Sequence, residues 1–337
     1  MHIARFFHKL EDDKVQCHLC AHECIIDPGK RGICAVRENR AGTLYSLVYG
    51  RLISGNADPI EKKPLFHFLP GTRSYSIATV GCNFRCLHCQ NYTISQWPRF
   101  HDGDIPGENQ TPAQVVDQAL ATRSASIAYT YTEPTIFSEF AYDTALLARE
   151  KGLRNIFVSN GYMTEASATA MAAVIDGDNI DLKSFSDGFY RKVCKAKLQP
   201  VLDTIVRMKT LGVWVEVTTL LIPGLNDSDA ELHDIARFLH STGADIPWHV
   251  TAFYPTYKML DRPATPVETL RRARDIGFAA GLRYVYTGNL PGDSGENTFC
   301  PVCNQLLIER RGFIVRRNRM VAGACPDCGA MVDGFWQ

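Results

Sequence analysis

Three cysteines fall within the twelve residues GCNFRCLHCQNY (81–92), at Cys82, Cys86 and Cys89, and no fourth cysteine follows nearby. Thiolate metal sites that serve only structure close with four ligands. A C-x3-C-x2-C loop that stops at three must leave one coordination position to something outside the loop. The preceding run YSIATV (75–80) is apolar and β-rich, so the loop sits at the C-terminal end of a buried strand. The fold has to be one that brings other groups to that strand end.

The rest of the cysteines sharpen the contrast. The chain has 337 residues and twelve cysteines, of which eleven cluster. CPVC and CPDC place Cys300, Cys303, Cys325 and Cys328 on two C-x2-C turns, the pattern of a zinc ribbon or rubredoxin-like unit, and zinc is expected there. CHLCAHECIIDPGKRGIC places Cys17, Cys20, Cys24 and Cys34 at C-x2-C-x3-C-x9-C spacing, with zinc or an iron–sulfur cluster as the two readings. Cys194 stands alone among basic neighbours and is expected to be a packing residue.

Clustered cysteines in a chain with no visible signal peptide point to metal chemistry in a reducing compartment, so the cytoplasm is the expected location. No apolar run approaches the length that spans a bilayer. Lys plus Arg and Asp plus Glu number 36 each, so no global charge field marks nucleic acid or a membrane as partner.

From residue 75 onward, strand-like runs alternate with helical stretches. The runs lie at 75–80, 126–131, 155–160, 179–184, 213–222, 248–253 and 283–288. Thr111 before Pro112 reads as a helix start, and a helix is expected before Gly243. Such βα alternation predicts an α/β fold with a parallel sheet, a partial (β/α)6-type TIM barrel. The expected organisation is a Cys-rich N-terminal lobe over 1–70, the barrel over 71–290 and a zinc-ribbon-like domain over 291–337. Chemistry in a parallel barrel gathers at the C-terminal strand ends. Those ends are polar here: Cys82, Glu133, Ser159, Asn160, Asp181, Lys183 and His249.

The cysteine loop resembles that of the radical S-adenosylmethionine (SAM) superfamily. The resemblance implies a [4Fe–4S] cluster on Cys82, Cys86 and Cys89, with SAM chelating the open iron and yielding a 5′-deoxyadenosyl radical that abstracts hydrogen. It implies a cofactor-binding role for Glu133, in YTYTEPTIF, where the family carries Gly-Gly-Glu; here Tyr131 and Thr132 replace the glycines. Ser159 and Asn160 in VSNGY would serve the ribose or carboxylate, and Lys183 in the Asp181-x-Lys183 stretch the carboxylate. His88 would pack near the adenine. His249, beside Tyr254 at the same mouth, would be a catalytic residue on the substrate side. With EKKPLFHF, VTTLLIPGLND, YPTYKM, YTGN and the terminal cysteine pairs, the whole chain is similar to the radical SAM proteins of the AmmeMemoRadiSam system, relatives of pyruvate formate-lyase activating enzyme.

That relation implies a protein or peptide substrate and an electron donor such as flavodoxin or ferredoxin. Two other readings compete. RRGFIVRRNR (310–319) holds five arginines, a candidate phosphate contact for RNA modification; a solvated face of a small domain is the favoured explanation. A non-catalytic iron–sulfur carrier or scaffold is the other, and it has no use for an open coordination position.

Overall fold

A computed structural model describes residues 1–290 and 292–336. Its centre is an eight-stranded sheet built from β1 (Ser54–Pro59), β2 (Arg73–Ala78), β3 (Ser126–Tyr129), β4 (Arg154–Ser159), β5 (Gly177–Asp181), β6 (Trp214–Leu221), β7 (Trp248–Ala252) and β8 (Val285–Gly288). The strands lie side by side in chain order. From β2 to β8 every pairing is parallel, and β1 runs antiparallel on β2. β1 and β8 do not pair, so this mixed sheet does not close into a barrel.

All seven expected strands are present, most of them ending one to three residues earlier than the apolar runs. Cys82, Glu133, Asn160 and Lys183 lie in the loops beyond the strands, while Ser159 and Asp181 are the last residues of β4 and β5. β1 was unexpected: it lies within the segment assigned to the N-terminal lobe but adds to the core sheet. Its sequence SGNADP lacks the β-branched and aromatic residues that mark a strand.

Helices α1 (Pro112–Ala121), α2 (Ser138–Glu150), α3 (Glu165–Ala172), α4 (Gln199–Thr210), α5 (Asp229–Thr242) and α6 (Val267–Ala279) connect the parallel strands. Thr111 caps α1 in a full capping box with Gln114, and Pro112 occupies the first turn. Ser228 caps α5, which stops at Gly243. Each helix buries one face, such as Leu232, Ile235, Ala236 and Leu239 of α5, on a core that also takes in Ile77, Val80, Phe157, Ile180 and Val217. No described helix is long and apolar enough to cross a membrane.

Two small units flank the sheet. The N-terminal one has two three-stranded antiparallel sheets around Val15, Leu19, Ile26 and Leu44. The C-terminal one is a three-stranded sheet, β9 (Thr298–Phe299), β10 (Leu306–Arg311) and β11 (Ile314–Asn318), carrying the two C-x2-C turns.

The arginine-rich hairpin is not a uniformly solvated face. Arg310 is buried, donates to Phe66 O (2.8 Å) and Thr298 Oγ1 (2.7 Å), lies 3.7 Å from Glu61, and stacks on the Phe66 ring. Arg319 pairs with Asp327 at 2.8 Å. Only Arg311, Arg316 and Arg317 project outward.

Candidate active site

One cavity of about 420 Å³ gathers the strand ends. It is lined after β1 by Lys62 and Lys63, after β2 by Cys82, Cys86, His88 and Cys89, and after β3 by Tyr131, Thr132 and Glu133. Ser159 and Asn160, then Asp181 and Lys183, follow from β4 and β5; Thr218, Thr251 and Asn289 complete the far side. Every strand of the sheet thus contributes to one opening. All three loop cysteines and six of the seven further predicted site residues meet here. His249 does not.

The cysteine loop is held from both sides. Gly81, at φ +97°, has no room for a Cβ: Val36 Cγ1 would lie 2.6 Å away and Cys34 O 3.1 Å away. Phe84 N–H donates to Cys82 Sγ (3.3 Å), and Ser95 Oγ lies 3.3 Å from Cys89 Sγ. Behind the loop, Arg85 and Leu87 N–H donate to Cys194 O and Val193 O. Cys194 is buried and does not line the cavity.

Glu133 is buried with both oxygens engaged. Oε1 accepts from Thr135 N–H (3.0 Å) and Oγ1 (2.5 Å), and Oε2 accepts from Asn160 N–H (2.8 Å). Burial raises its pKa to about 7 against the lowering by these donors. Asn160 ties the turn to the loop through Nδ2, which donates to Asn83 Oδ1 (2.7 Å). Ser159 Oγ donates to Asp178 Oδ1 (3.1 Å) and accepts from Gly161 N–H, so its hydroxyl is already committed. Ser159 and Asn160 therefore brace the wall.

Lys183 bonds Asp181 Oδ2 at 2.9 Å. Burial works against its charge, but Asp181 and the neighbouring Cys86 and Cys194 hold its pKa well above the ordinary lysine value. His88 is buried, and its pKa falls to about 3 through burial and the nearby Lys183. Its ring is therefore neutral, and Nδ1 has no partner in the protein. A buried orphan nitrogen on a cavity wall is a position that an incoming polar group would satisfy.

Tyr131 is the residue that the sequence undervalued. It takes the left-handed backbone, φ +63°, where the resemblance expects glycine. Its hydroxyl donates to Asp58 Oδ2, and the Lys63 ammonium lies 4.4 Å from its ring centroid. Lys63 also bonds Asp58 (2.6 Å), and burial lowers the lysine pKa to about 8. Asn91 Nδ2 donates to Tyr131 O (2.7 Å), so the turn also grips the cysteine loop. The Asp58–Lys63 pair was visible in NADPIEKKP only as unassigned charge.

His249 lies a layer deeper than the mouth. It shares a face of β7 with Thr251 but sits two residues earlier, and Nε2 meets Glu216 Oε2 at 2.6 Å. Phe66 and Tyr286 pack on the ring, leaving it buried. The expectation that it faces the mouth fails because Glu216, on β6 two residues before Thr218, the residue opposite His249, captures the ring in the sheet interior. Tyr254 does reach the rim, where its hydroxyl donates to Asn289 O (3.1 Å).

The metal candidates differ in spread. Cys300, Cys303, Cys325 and Cys328 offer sulfurs all within 4.8 Å of one another, with 3.6 and 3.7 Å across two pairs. A zinc tetrahedron with Zn–S of about 2.3 Å has S–S edges of about 3.8 Å. Among the described residues no other set of three potential ligands packs so closely. All twelve cysteines are free of disulfides.

Comparison with known proteins gives this site its class. The Radical SAM superfamily profile matches residues 76–239. An uncharacterized protein of Methanocaldococcus jannaschii is 48% identical over 99% of this chain and 99% of its own. The isethionate sulfite-lyase activating enzyme of Nitratidesulfovibrio vulgaris is 26% identical over 42% of this chain and 50% of its own. Streptococcus suis SuiB bound to S-adenosylmethionine superposes with a TM-score of 0.51 at 10% identity, over 68% of this chain and 53% of that one. The chain belongs to the radical SAM superfamily and is related to its activating enzymes. It is a radical SAM enzyme, and membership implies a [4Fe–4S] cluster and SAM.

Proposed function

We propose that the enzyme removes a hydrogen atom from a protein or peptide substrate, in the manner of the activating enzymes it resembles. The observation that carries this reading is the rim. Phe313, half exposed at the tip of the β10–β11 hairpin, joins Asn289 and Lys62 at the mouth, an apolar contact and polar groups for a peptide to pack against. The burial of Arg310 and the pairing of Arg319 leave Arg311, Arg316 and Arg317 as the arginines open to a phosphate backbone, which weakens the support for an RNA substrate.

Cys82, Cys86 and Cys89 would hold the cluster, with Lys183 the cation for the cofactor carboxylate. Glu133 would receive its amine and His88 Nδ1 its adenine. The donor set fits: three thiols on one turn, a buried cation, a buried carboxyl and an orphan imidazole nitrogen line one cavity. When bound, the pair supplies a 5′-deoxyadenosyl radical after one-electron cleavage of the sulfonium. Asn160 positions Glu133 and the loop; His249 fixes Glu216 beneath the cavity.

Three coarser features follow in the same reading. The sheet curves as a partial barrel, since residues after β1 and after β8 line the same cavity. Zinc occupies the C-terminal quartet, whose spacing matches a tetrahedron. A cytoplasmic setting, with reduced flavodoxin or ferredoxin as donor, suits a chain with twelve free thiols. The test is anaerobic turnover with dithionite and a deuterated cell-extract peptide pool. Deuterium appearing in 5′-deoxyadenosine supports the reading; transfer only from a nucleotide or RNA pool would overturn the peptide assignment.

A further inference from the structure

The N-terminal quartet is unlike the C-terminal one. Cys17, Cys20, Cys24 and Cys34 line a single small pocket between the N-terminal unit and the core. Cys17 and Cys34 are buried, Cys20 and Cys24 half-buried. Yet no three of their sulfurs lie within 4.8 Å of one another. A single zinc ion requires all four thiolates at tetrahedral edges of about 3.8 Å, as at the C-terminal site. A multi-iron cluster spreads its thiolates, because each binds a different iron. The loop cysteines Cys82, Cys86 and Cys89 show the same spread: they also fail to come within 4.8 Å as a trio.

A second observation marks the pocket as a place for a further acceptor. Arg37 lines it and is 1% exposed. Nη1 pairs with Glu139 (2.9 Å) and Nη2 donates to Arg5 O (2.5 Å), while Nε has no partner. Glu139 already neutralises the guanidinium, but its buried Nε donor beside the four thiols is costly unless a further acceptor meets it.

The pocket also abuts the cysteine loop of the active site. Cys34 O would meet a Cβ on Gly81, the residue before Cys82, at 3.1 Å. Arg99 Nη2 donates both to Ile33 O and to Cys82 O (2.9 Å). His22 Nε2 lies 2.8 Å from Asn83 O. Ile136, three residues after Glu133, lines the pocket too. Few backbone steps therefore separate the two sets of thiols.

We propose that Cys17, Cys20, Cys24 and Cys34 hold a second iron–sulfur cluster, seated against the active-site loop and exchanging single electrons with the cluster there. In each relay event it takes one electron from a low-potential donor protein such as reduced flavodoxin or ferredoxin. It then passes one electron to the cluster on Cys82, Cys86 and Cys89 and returns to its oxidised state. No bond forms or breaks at the second site. The relay rests on the proposed cluster at the loop; the metal assignment does not.

The test starts from the triple variant Cys82→Ala, Cys86→Ala, Cys89→Ala, reconstituted anaerobically with iron and sulfide. The expected result is about four irons per chain, against about eight in the wild type, with an electron paramagnetic resonance (EPR) signal after dithionite. An iron-free triple variant carrying a second zinc overturns the proposal. Wild type and variant both holding about four irons would support this site and refute the loop assignment instead. For the relay, Cys17→Ala with Cys34→Ala should keep dithionite-driven SAM cleavage while flavodoxin-driven cleavage falls at least about tenfold. An unchanged flavodoxin-driven rate overturns the relay. If that double variant loses its loop iron as well, the wild-type EPR spectrum decides: spin coupling between two reduced clusters supports the relay, and two independent signals refute it.

Discussion

Replacing Tyr131 with glycine restores the residue type that the superfamily resemblance expects, and the structure says it will loosen the site. The backbone there is left-handed, φ +63°, which costs an L-residue about 1–2 kcal/mol. Glycine removes that strain but gives back about 0.5–1 kcal/mol in chain freedom. The backbone gain is therefore about 0–1.5 kcal/mol. Against it stands the side chain. The hydroxyl bonds the Asp58 carboxylate, and hydrogen bonds to charged groups contribute about 1.5–3 kcal/mol. The buried Lys63 ammonium over the ring adds about 1–2 kcal/mol.

Taken from the middle of each range, the balance is a local destabilisation of about 2–4 kcal/mol for Tyr131→Gly. Tyr131→Phe keeps the ring and should lose about 1–2 kcal/mol, because Asp58 retains both lysines. Amide hydrogen exchange reads this locally, without assuming two-state unfolding of a chain with several units. The Thr130 amide, bonded to Ile77 O, is the reporter. Its protection should fall about 30- to 1,000-fold in the glycine variant, at about 1.4 kcal/mol per tenfold. Protection equal to or above wild type would refute the claim that Asp58 and Lys63 hold a strained turn.

The other outcomes are more direct. Glu133 is held neutral in the folded protein up to about pH 7, while its unfolded carboxyl ionises near 4.5, so its contribution to stability is full below pH 4.5 and is lost as pH rises to about 7. Urea midpoints of the cofactor-free protein from pH 5 to 8 should therefore fall in wild type relative to Glu133→Gln, and parallel curves would refute this. Cys194→Ala should leave iron at the loop unchanged by metal analysis, since the residue lies behind the cavity; loss of iron would make it a ligand. His249→Phe should unsettle Glu216 and lower thermal stability by about 1–3 kcal/mol, while His249→Gln, which can still donate to Glu216, should recover much of it.

Much of this was legible in the sequence, for physical reasons. A parallel sheet buried on both faces writes itself as apolar runs, so β2 to β8 could be read. Spacing gave the metal loops because thiolates on a short turn need fixed offsets. What could not be read depended on pairing across the fold. Glu216 and His249 occupy adjacent strands in one register neighbourhood, and only their contact turns His249 inward. Tyr131 looked like a departure from a glycine pattern until Asp58, 73 positions away, supplied its partner. β1 carries no strand-like residues and exists because the edge of β2 pairs with it.

The C-terminal unit joins two ends of the site through one hairpin. Arg310 on β10 anchors in the interior among Glu61, Thr298 and Phe66 O, while Phe313, three residues on, lines the cavity. The cysteine quartet fixes the turns on which this unit is built. Removing the zinc proposed there, or changing Cys300 and Cys328 to serine, should therefore displace Phe313 without touching the cofactor walls. KM for the substrate should rise several-fold, with SAM cleavage in its absence retained. Arg310→Met should give the same split plus a stability loss of about 3–5 kcal/mol, because Glu61 is left buried without its cation. Equal loss of SAM cleavage and substrate turnover in both variants would mean that the hairpin serves the whole fold and has no separate hold on the substrate mouth.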